Sequence, residues 1–288
     1  MAFSADEAFS ARKWALAHSK SLVLGPSGVL MGILNVTPDS FSDGGQLANT
    51  GDAVARARAM TEAGAGILDI GGESTRPGGD PVDAETEQAR VLPSISAIRD
   101  AIAGAVISID TYRADTAKKA VEAGAHIVND VWGLQREPDI ARVAAETGAG
   151  LCIMHTGRER EKLADVIADQ FAFFETSLEI AGKAGVQREQ IVLDPGFGFA
   201  KDPEENFTLM ARFEALHALG YPLLVGTSRK RFIGDATGRD AAERDVGTAA
   251  TTALLRAAGA AVFRVHDVAI NRDALAIADA MVARRPSN

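Results

Sequence analysis

The sequence of 288 residues has little cysteine, few aromatic residues and no long apolar run. Its single cysteine, Cys152, rules out an internal disulfide framework. No stretch reaches the roughly 18 to 20 uninterrupted apolar residues that a membrane-spanning helix needs. Residues 1–7 also lack the basic-then-apolar order of a secretory signal. These absences predict a soluble, cytoplasmic protein with no membrane partner.

Basic residues are in the minority as well. The chain has 30 Lys and Arg against 39 Asp and Glu, which gives a formal net charge of -9. A general nucleic-acid surface gains its affinity from counterion release and needs Lys and Arg spread over a broad face. We therefore expect no nucleic-acid partner, and any anion site in this chain has to be local.

What the chain does have is enough apolar material for a full core, because 47% of its residues are hydrophobic. Its length is typical of one α/β barrel, and no linker rich in Pro, Gly or Ser divides it. We predict one domain over residues 1–288, with 1–28 as an N-terminal extension and 29–288 as the barrel. Within the extension we expect a helix over 6–18 and a short strand near 22–24 that plugs the barrel bottom.

Short runs rich in Val and Ile alternate with longer Ala-rich segments, the pattern of a parallel sheet covered by helices. No dinucleotide or phosphate-loop fingerprint follows the first strand, which disfavours an open doubly wound sheet. Eight such units predict a (β/α)₈ TIM barrel. The predicted strands are 29–36, 66–70, 106–110, 126–131, 150–155, 191–194, 221–227 and 261–266.

Two further patterns support the helices between these strands. Apolar residues repeat at helical spacing in Leu209, Phe213 and Leu216, and again in Ala274, Ile277, Ala278 and Met281. Glycines precede six of the strands, where a helix often ends in a left-handed residue. These glycines are Gly64, Gly124, Gly148, Gly185, Gly220 and Gly259.

Polar residues gather at the carboxyl ends of the predicted strands, which is where barrel enzymes place their active sites. They include Asn35, Asp69, Asp110, Asn129, Asp130, His155, Asp194, Ser228, Arg264 and His266. A single Asp or Asn after a strand is often only a helix cap or a turn residue. So many of them at one rim favour a binding site.

The last two strands add a group of cations, made of Arg229, Lys230, Arg264 and His266. Arg264 and His266 flank Val265, so their side chains point to the same side of the strand. That side faces either the helix layer or the barrel mouth, and burying two cations against the helices would cost more free energy than placing them at the mouth. Barrels commonly bind phosphate near strands seven and eight, so this group predicts an anion site. Arg231 is expected to be ordinary surface.

A zinc site is disfavoured, because His155 has no second ligand at metal-binding spacing. Magnesium needs fewer protein ligands, since phosphate and water fill much of its shell. Two long polar segments, 37–51 and 73–83, exceed the usual two to six residues of such loops and are candidate lids. Asp39 and Asp43 could assist a metal or simply cap a turn.

Several strings in this sequence resemble those of dihydropteroate synthases, in the same order and over nearly the whole chain after residue 28. Residues 32–45 read GILNVTPDSFSDGG, and residues 69–78 read DIGGESTRPG. The similarity continues through 108–111 (SIDT), 129–130 (ND), 194–199 (DPGFGF), 228–230 (SRK) and 264–266 (RVH). After strand five the chain departs from the family pattern, because 154–159 read MHTGRE where a Met-His-Met-like segment is common.

The resemblance implies a transferase that joins a pterin-methyl diphosphate to 4-aminobenzoate in folate biosynthesis, is inhibited by sulfonamides, and forms a homodimer. It implies that Asp110, Asn129 and Asp194 bind the pterin, with Lys230 on its ring carbonyl and ring nitrogen. It places the diphosphate against Thr75, Arg264 and His266, and Mg²⁺ on Asn35. Further residues at the substrates are Phe41, Arg76, Phe199 and Ser228, of which Ser228 would receive the aminobenzoate carboxylate.

Asp110, Asp194, Lys230, Arg264 and His266 are the catalytic candidates. Two other functions remain open at this point. A barrel that transfers a methyl group from a reduced folate to a corrinoid protein would share the pterin carboxylates, but it needs no diphosphate site. A pterin-binding module without catalysis is the second alternative.

Overall fold

The computed structural model describes residues 5–37, 46–73 and 82–285, without the side chains of residues 5, 6 and 46–49. The strands are β1 Arg12–Ala15, β2 Ser21–Leu24, β3 Val29–Asn35, β4 Ile67–Gly71, β5 Ile107–Asp110, β6 Ile127–Asp130, β7 Gly150–Met154, β8 Ile191–Asp194, β9 Leu224–Val225 and β10 Val262–Val265. The α-helices are α1 Gln46–Ala63, α2 Ala84–Ala101, α3 Ala114–Ala123, α4 Asp139–Thr147, α5 Val166–Ala184, α6 Pro203–Ala211, α7 Arg231–Thr237, α8 Asp245–Ala257 and α9 Val268–Val282. Short 3-10 helices cover Ala5–Phe9, Arg188–Gln190, Phe213–Leu219 and Ala241–Glu243.

Eight parallel strands form one sheet in the order β8-β7-β6-β5-β4-β3-β10-β9. The two ends of this sheet meet where Leu193 of β8 bridges Leu223, just before β9. The backbone N–H of Leu193 also donates to the carbonyl of Pro222, at 3.0 Å. The sheet therefore closes into a barrel with the helices outside, and the predicted (β/α)₈ fold is confirmed.

The eight predicted strands match β3 to β10, with ends that differ by about one residue in most cases. The seventh is the exception, because only Leu224 and Val225 pair as a strand where 221–227 was predicted. All six glycines expected to end the preceding segments have a positive φ, between 70° and 124°. The prediction that these glycines adopt a left-handed backbone conformation before the strands is confirmed.

The predicted helix faces have a mixed outcome. Leu209, Phe213 and Leu216 are fully buried, although the α-helix ends at Ala211 and a 3-10 helix continues the run. In α9 the predicted face was wrong for two residues, because Ile277 is 74% and Met281 53% exposed. The helix turns Leu275, Ala278 and Val282 toward the core instead.

The N-terminal extension contains no helix over 6–18, so that prediction was wrong. The 3-10 helix Ala5–Phe9 is followed by an antiparallel hairpin in which β1 pairs with β2. Trp14 in β1 and Leu16 directly after it are buried, whereas Lys13 and Ala15 are more exposed, so Trp14 and Leu16 lie on the same side of the extended chain. The short strand near 22–24 is confirmed as β2.

This hairpin covers the bottom of the barrel, as expected. Trp14 is 1% exposed and packs in a cluster with Met31, Ile67 and Cys152 on the inner face of the sheet. A Cβ on Gly150, at the start of β7, would come within 2.5 Å of a Leu16 methyl carbon. Because the bottom is filled by apolar side chains, a ligand has to enter from the carboxyl ends of the strands.

The first of the two predicted lids is shorter than the sequence suggests, whereas the second ends where it was predicted to end. α1 begins at Gln46, so residues 46–51 of the first predicted lid are helical. The second lid segment ends at Asp83, whose side chain caps α2 by accepting from the backbone N–H of Thr86. None of the described helices combines the length and the hydropathy that crossing a membrane requires.

Candidate active site

The centre of the barrel mouth is an ion cluster around Arg264 of β10. Its Nε donates to Asp69 Oδ2 at 2.6 Å, and one terminal nitrogen donates to Asp110 Oδ2 at 2.7 Å. The side chains of Asp69 and Asp110 are 0% and 5% exposed. Burial alone would lower the pKa of Arg264, but the two carboxylates raise it above its ordinary value. The Arg264 side chain therefore points into the barrel mouth, as predicted.

Asp110 is the second member of this cluster and stands at the end of β5. Burial raises its pKa to about 7, a shift that Arg264 opposes and Asp69 reinforces. Its Oδ1 atom makes no hydrogen bond within the described residues. Near neutral pH this carboxyl group exchanges between its two protonation states, and it keeps acceptor capacity for a ligand.

Asn129 and Asp194 stand at the ends of β6 and β8 and are both buried. The Asn129 amide nitrogen donates to Asp69 Oδ2 at 3.2 Å. Asp194 Oδ1 accepts the backbone N–H of Gly196 at 2.7 Å, and burial raises its pKa while Lys230 opposes that shift. Neither residue caps a helix. Asp194 and Asp130 both serve turns, because each accepts the N–H group two residues on, and Asp130 also accepts from Leu134.

Lys230 approaches this group from the loop after β9. Its ammonium donates to the carbonyl of Phe197 and lies 4.5 Å from the ring centroid of Phe199. Burial lowers the pKa of Lys230 to about 7, although Asp194 opposes the shift. Arg158 belongs to the loop after the fifth barrel strand, where the sequence differs from the family pattern, and its guanidinium lies 4.7 Å from the same Phe199 ring. Phe199 is therefore in contact with two cations at the mouth.

Ser228 and His266 form a pair beside Arg264. The Ser228 hydroxyl and His266 Nδ1 are 2.9 Å apart, and the backbone N–H of His266 donates to Ser228 Oγ at 3.1 Å. Arg229 instead makes a two-point ion pair with Asp245, with both bonds at 2.7 Å. Arg231 is 90% exposed, as predicted for a surface residue.

Asn35 ends β3 directly beside Gly71 of β4. A Cβ at Gly71 would lie 3.3 Å from Asn35 Oδ1 and 3.8 Å from Asp110 Oδ2, so both oxygens border the same small space. The described residues contain no group of three or more His, Cys, Asp or Glu that could hold a metal. Hard oxygen donors in small number suit Mg²⁺, which usually keeps several waters and substrate phosphates in its shell.

Three predicted residues, Phe41, Thr75 and Arg76, lie outside the described residues, as do Asp39 and Asp43. His155 is buried in a separate network. Its Nε2 is 2.9 Å from Asp169, and the ammonium of Lys201 donates to Nδ1 at 2.8 Å. Burial lowers the pKa of His155 to about 4, and both nitrogens of the neutral ring are already engaged, by Asp169 and by Lys201.

The sequence interpretation missed two features of the mouth. Asp69 received no role, although it is the first residue of the DIGGESTRPG segment and contacts both Arg264 and Asn129. Lys201 was not singled out either. Its ammonium donates to the carbonyl of Gly196, and burial lowers the pKa of Lys201 to about 7. Only its place right after the DPGFGF segment could have drawn notice.

The barrel with this polar mouth matches a known family over most of its length. Residues 31–266 match the model of the pterin binding enzymes. The chain belongs to this family of pterin-binding barrels.

Within the family, the relatives it matches are dihydropteroate synthases. The chain is 47% identical to the dihydropteroate synthase of Bacillus subtilis over 83% of its length and 84% of the relative. A solved structure of the Clostridium difficile enzyme with pteroic acid superposes with a TM-score of 0.87 and 45% identity, covering 90% of this chain and 98% of the other. The Xanthomonas albilineans enzyme with 4-aminobenzoic acid gives a TM-score of 0.88 and 39% identity, covering 95% and 100%. The resemblance drawn from the sequence strings is confirmed.

Proposed function

We propose that this site joins (7,8-dihydropterin-6-yl)methyl diphosphate to 4-aminobenzoate and releases diphosphate, which yields 7,8-dihydropteroate for folate biosynthesis. The observation that carries the proposal is the composition of the mouth. Three carboxylate or amide side chains, Asp110, Asn129 and Asp194, stand beside Lys230 and Arg264 within one buried opening. Such a site offers acceptors to a nitrogen heterocycle and cations to an anionic leaving group.

The pterin is assigned to the buried part of the mouth. A pterin presents a ring N–H beside an exocyclic amine, and one carboxylate can accept both in parallel. Asp194 is suited to this, because within the part of the chain that the structure describes its carboxylate accepts one hydrogen bond, from the N–H of Gly196 to Oδ1. Asn129 borders the same space, and Lys230 is the donor for the ring carbonyl and ring nitrogen.

The diphosphate is assigned to Arg264 and His266, with Thr75 as a sequence-based member of the same group. Arg264 keeps its full charge, because the adjacent carboxylates raise its pKa. Asn35 would give one oxygen to Mg²⁺, beside the space that it shares with Asp110. When bound, Mg²⁺ neutralises charge that develops on the departing diphosphate.

The reaction breaks the bond between the pterin methylene and the diphosphate oxygen and forms a bond from that methylene to the aminobenzoate nitrogen. The electron pair of the broken bond leaves on the diphosphate, where Arg264 and His266 stabilise it. Positive charge that spreads over the pterin is stabilised by the carboxylates of Asp110 and Asp194. The arylamine attacks as a neutral nitrogen and then loses one proton, so no strong general base is needed.

Aminobenzoate is assigned to the outer part of the mouth. Ser228 is assigned to the carboxylate of aminobenzoate. Because the Ser228 hydroxyl is also hydrogen-bonded to His266, binding of this substrate would affect both residues. Phe199 is assigned to its ring side. Phe41, Thr75 and Arg76 stay predictions from the sequence, as do the homodimer and the cytoplasmic location.

The homodimer has a candidate surface on α8 and α9. Seven large apolar side chains are strongly exposed among the described residues, and four of them lie on these two adjacent helices. They are Val246, Leu254, Ile277 and Met281, between 53% and 74% exposed. We assign this face to a second copy of the chain. Light scattering of Ile277→Glu should give half the wild-type mass, and an unchanged mass would reject the assignment.

Diphosphate release with Mg²⁺ tests the proposed reaction. The assay compares wild type, Asp194→Ala, Lys230→Ala and the surface control Arg231→Ala, each with and without 4-aminobenzoate. We expect release that requires aminobenzoate and is lost in the first two variants but kept in the third. Addition of a chelator should stop release in the wild type and in Arg231→Ala. Tight pterin binding without any turnover would contradict the proposal and indicate a non-catalytic pterin-binding module.

A further inference from the structure

Asp69 is a buried carboxylate that touches two parts of the site at once. It lies in β4 and is 0% exposed. Its Oδ2 atom accepts Arg264 Nε at 2.6 Å and the Asn129 amide nitrogen at 3.2 Å. One oxygen therefore links the cation assigned to the diphosphate with the amide assigned to the pterin.

Charge neutralisation alone does not account for this carboxylate. Arg264 already has a buried partner in Asp110, at 2.7 Å. A second carboxylate gives the cluster an excess negative charge, and burying an extra charge is costly unless its hydrogen bonds serve a purpose. The geometry of Asp69 offers one, because both of its partners are polar side chains at the mouth.

Holding Arg264 by its Nε fixes the plane of the guanidinium. Asp69 holds Nε and Asp110 holds one terminal nitrogen, so the direction of the remaining N–H groups is set before any ligand arrives. The other terminal nitrogen makes no hydrogen bond within the described residues. Its N–H groups are therefore donors left for a diphosphate oxygen.

Holding Asn129 by its Nδ2 fixes the side of the amide that faces the ligand. With the nitrogen donating to Asp69, the amide oxygen is left as the acceptor. A flipped amide would bring its oxygen against the Asp69 carboxylate, and two acceptors repel. The orientation therefore favours a ligand that presents an N–H to Asn129.

We propose that Asp69 is a positioning residue that sets the orientation of Arg264 and Asn129 together. This inference rests on the proposed function, because it assigns the two partners to the two ends of one substrate. A misplacement of about 1 Å at such groups costs on the order of 100-fold in rate. Asp69 itself touches neither substrate in this account.

Three variants separate positioning from charge. Asp69→Asn keeps the volume and an acceptor oxygen for Arg264 but removes the charge. Asp69→Ala removes both. Ser108→Ala is the matched control, because Ser108 is buried on the neighbouring strand opposite Asp69 and its hydroxyl makes no hydrogen bond in the described residues.

The readouts are kcat and KM for diphosphate release, together with calorimetric binding of inorganic diphosphate and of 6-hydroxymethyl-7,8-dihydropterin. We expect kcat/KM to fall about 100-fold in Asp69→Ala and about 10-fold in Asp69→Asn, with both ligands weakened. Ser108→Ala should stay within about threefold of wild type. If Asp69→Ala does not fold, Asp69→Ser takes its place. The serine side chain is too short for its hydroxyl to reach both Arg264 and Asn129.

Equal losses in the Asn and Ala variants would overturn the inference in favour of a charge effect. Wild-type kinetics and binding in folded Asp69→Ala would overturn it as well. An inactive wild type is a separate result, which rejects the proposed function and not the geometry. Binding of the two ligands by the wild type and the Asn variant still tests the positioning role in that case.

Discussion

Replacing Lys230 by methionine should stabilise the fold while it removes activity. The pKa of Lys230 is lowered from 10.5 to about 7 by burial of its ammonium group, against the attraction of Asp194. At pH 7 the unfolded chain holds this proton almost completely, while the folded chain holds it about half of the time. That difference destabilises the folded state by about 4 kcal/mol.

Part of this cost is offset by contacts that methionine would lose. The ammonium of Lys230 donates to the carbonyl of Phe197 and lies against the ring of Phe199. Such contacts are worth about 2 kcal/mol together. We therefore expect Lys230→Met to raise the free energy of unfolding at pH 7 by about 2 kcal/mol, the difference between these two contributions.

The pH dependence gives the sharper test, since it follows the titration of this one residue. Between pH 7 and pH 10.5 the unfolded state binds more protons at Lys230 than the folded state, so wild-type stability at this position rises with pH. The advantage of Lys230→Met should shrink by about 2 kcal/mol from pH 7 to pH 9. Groups that do not interact with Lys230 titrate alike in both proteins and cancel in the difference, whereas Lys201 is repelled by the Lys230 charge and adds a smaller contribution of its own.

Urea unfolding of both proteins at the two pH values is the assay. Lys183→Met serves as the control, because the Lys183 side chain is 75% exposed and its substitution should change stability by less than about 0.5 kcal/mol. A Lys230→Met protein that is less stable than wild type, by the same amount at both pH values, would refute the reasoning. Lys230 would then be well solvated or fully paired in the folded state.

Three further predictions concern the pH profile and the fold. The pH profile of kcat/KM should be bell-shaped with both limbs near pH 7, since Asp110 has to be ionised and Lys230 protonated, and Asp110→Asn should remove the acid limb. In urea unfolding, Asp279→Ala should cost about 3–5 kcal/mol, because it leaves the fully buried Arg256 without its carboxylate. Trp14→Ala should cost about 3–5 kcal/mol in the same assay, since it opens a cavity at the barrel bottom.

Each of these has a result that contradicts it. A flat profile between pH 6 and 8 would show that the two groups do not titrate near neutrality. A loss below 1 kcal/mol in Asp279→Ala would mean that solvent reaches Arg256. A similarly small loss in Trp14→Ala would mean that the hairpin is not part of the cooperative fold.

The barrel strands could be predicted from sequence because burial on both faces demands continuous apolar runs, and β3 to β10 show them clearly. The extension could not, since residues 11–18 carry an apolar spacing compatible with either a helix or a strand. The decision there comes from pairing with β2 and from the space that Trp14 fills. Such tertiary contacts are absent from a local pattern.

The site shows the same division. Asp110, Asn129, Asp194, Lys230 and Arg264 could be found because each follows a strand of recognisable type. Which of them contact each other depends on barrel closure, which brings β10 beside β3 and lets Arg264 reach across the mouth to Asp110 of β5. Two features could not be predicted from the spacing of residues along the sequence. They are the hydrogen bonds of Asp69 and the exposure of Ile277, which both depend on how the strands and helices pack in the barrel.

The central claim is that the mouth forms a carbon–nitrogen bond between the two substrates. Incubation of the wild-type protein with the pterin diphosphate, Mg²⁺ and 4-aminobenzoate labelled with nitrogen-15, followed by mass spectrometry, tests it directly. We expect labelled 7,8-dihydropteroate in equal amount to the diphosphate released, and neither product from Asp194→Ala. Diphosphate released with hydroxymethyl-dihydropterin as the sole partner product would contradict the claim, because water would then be the nucleophile.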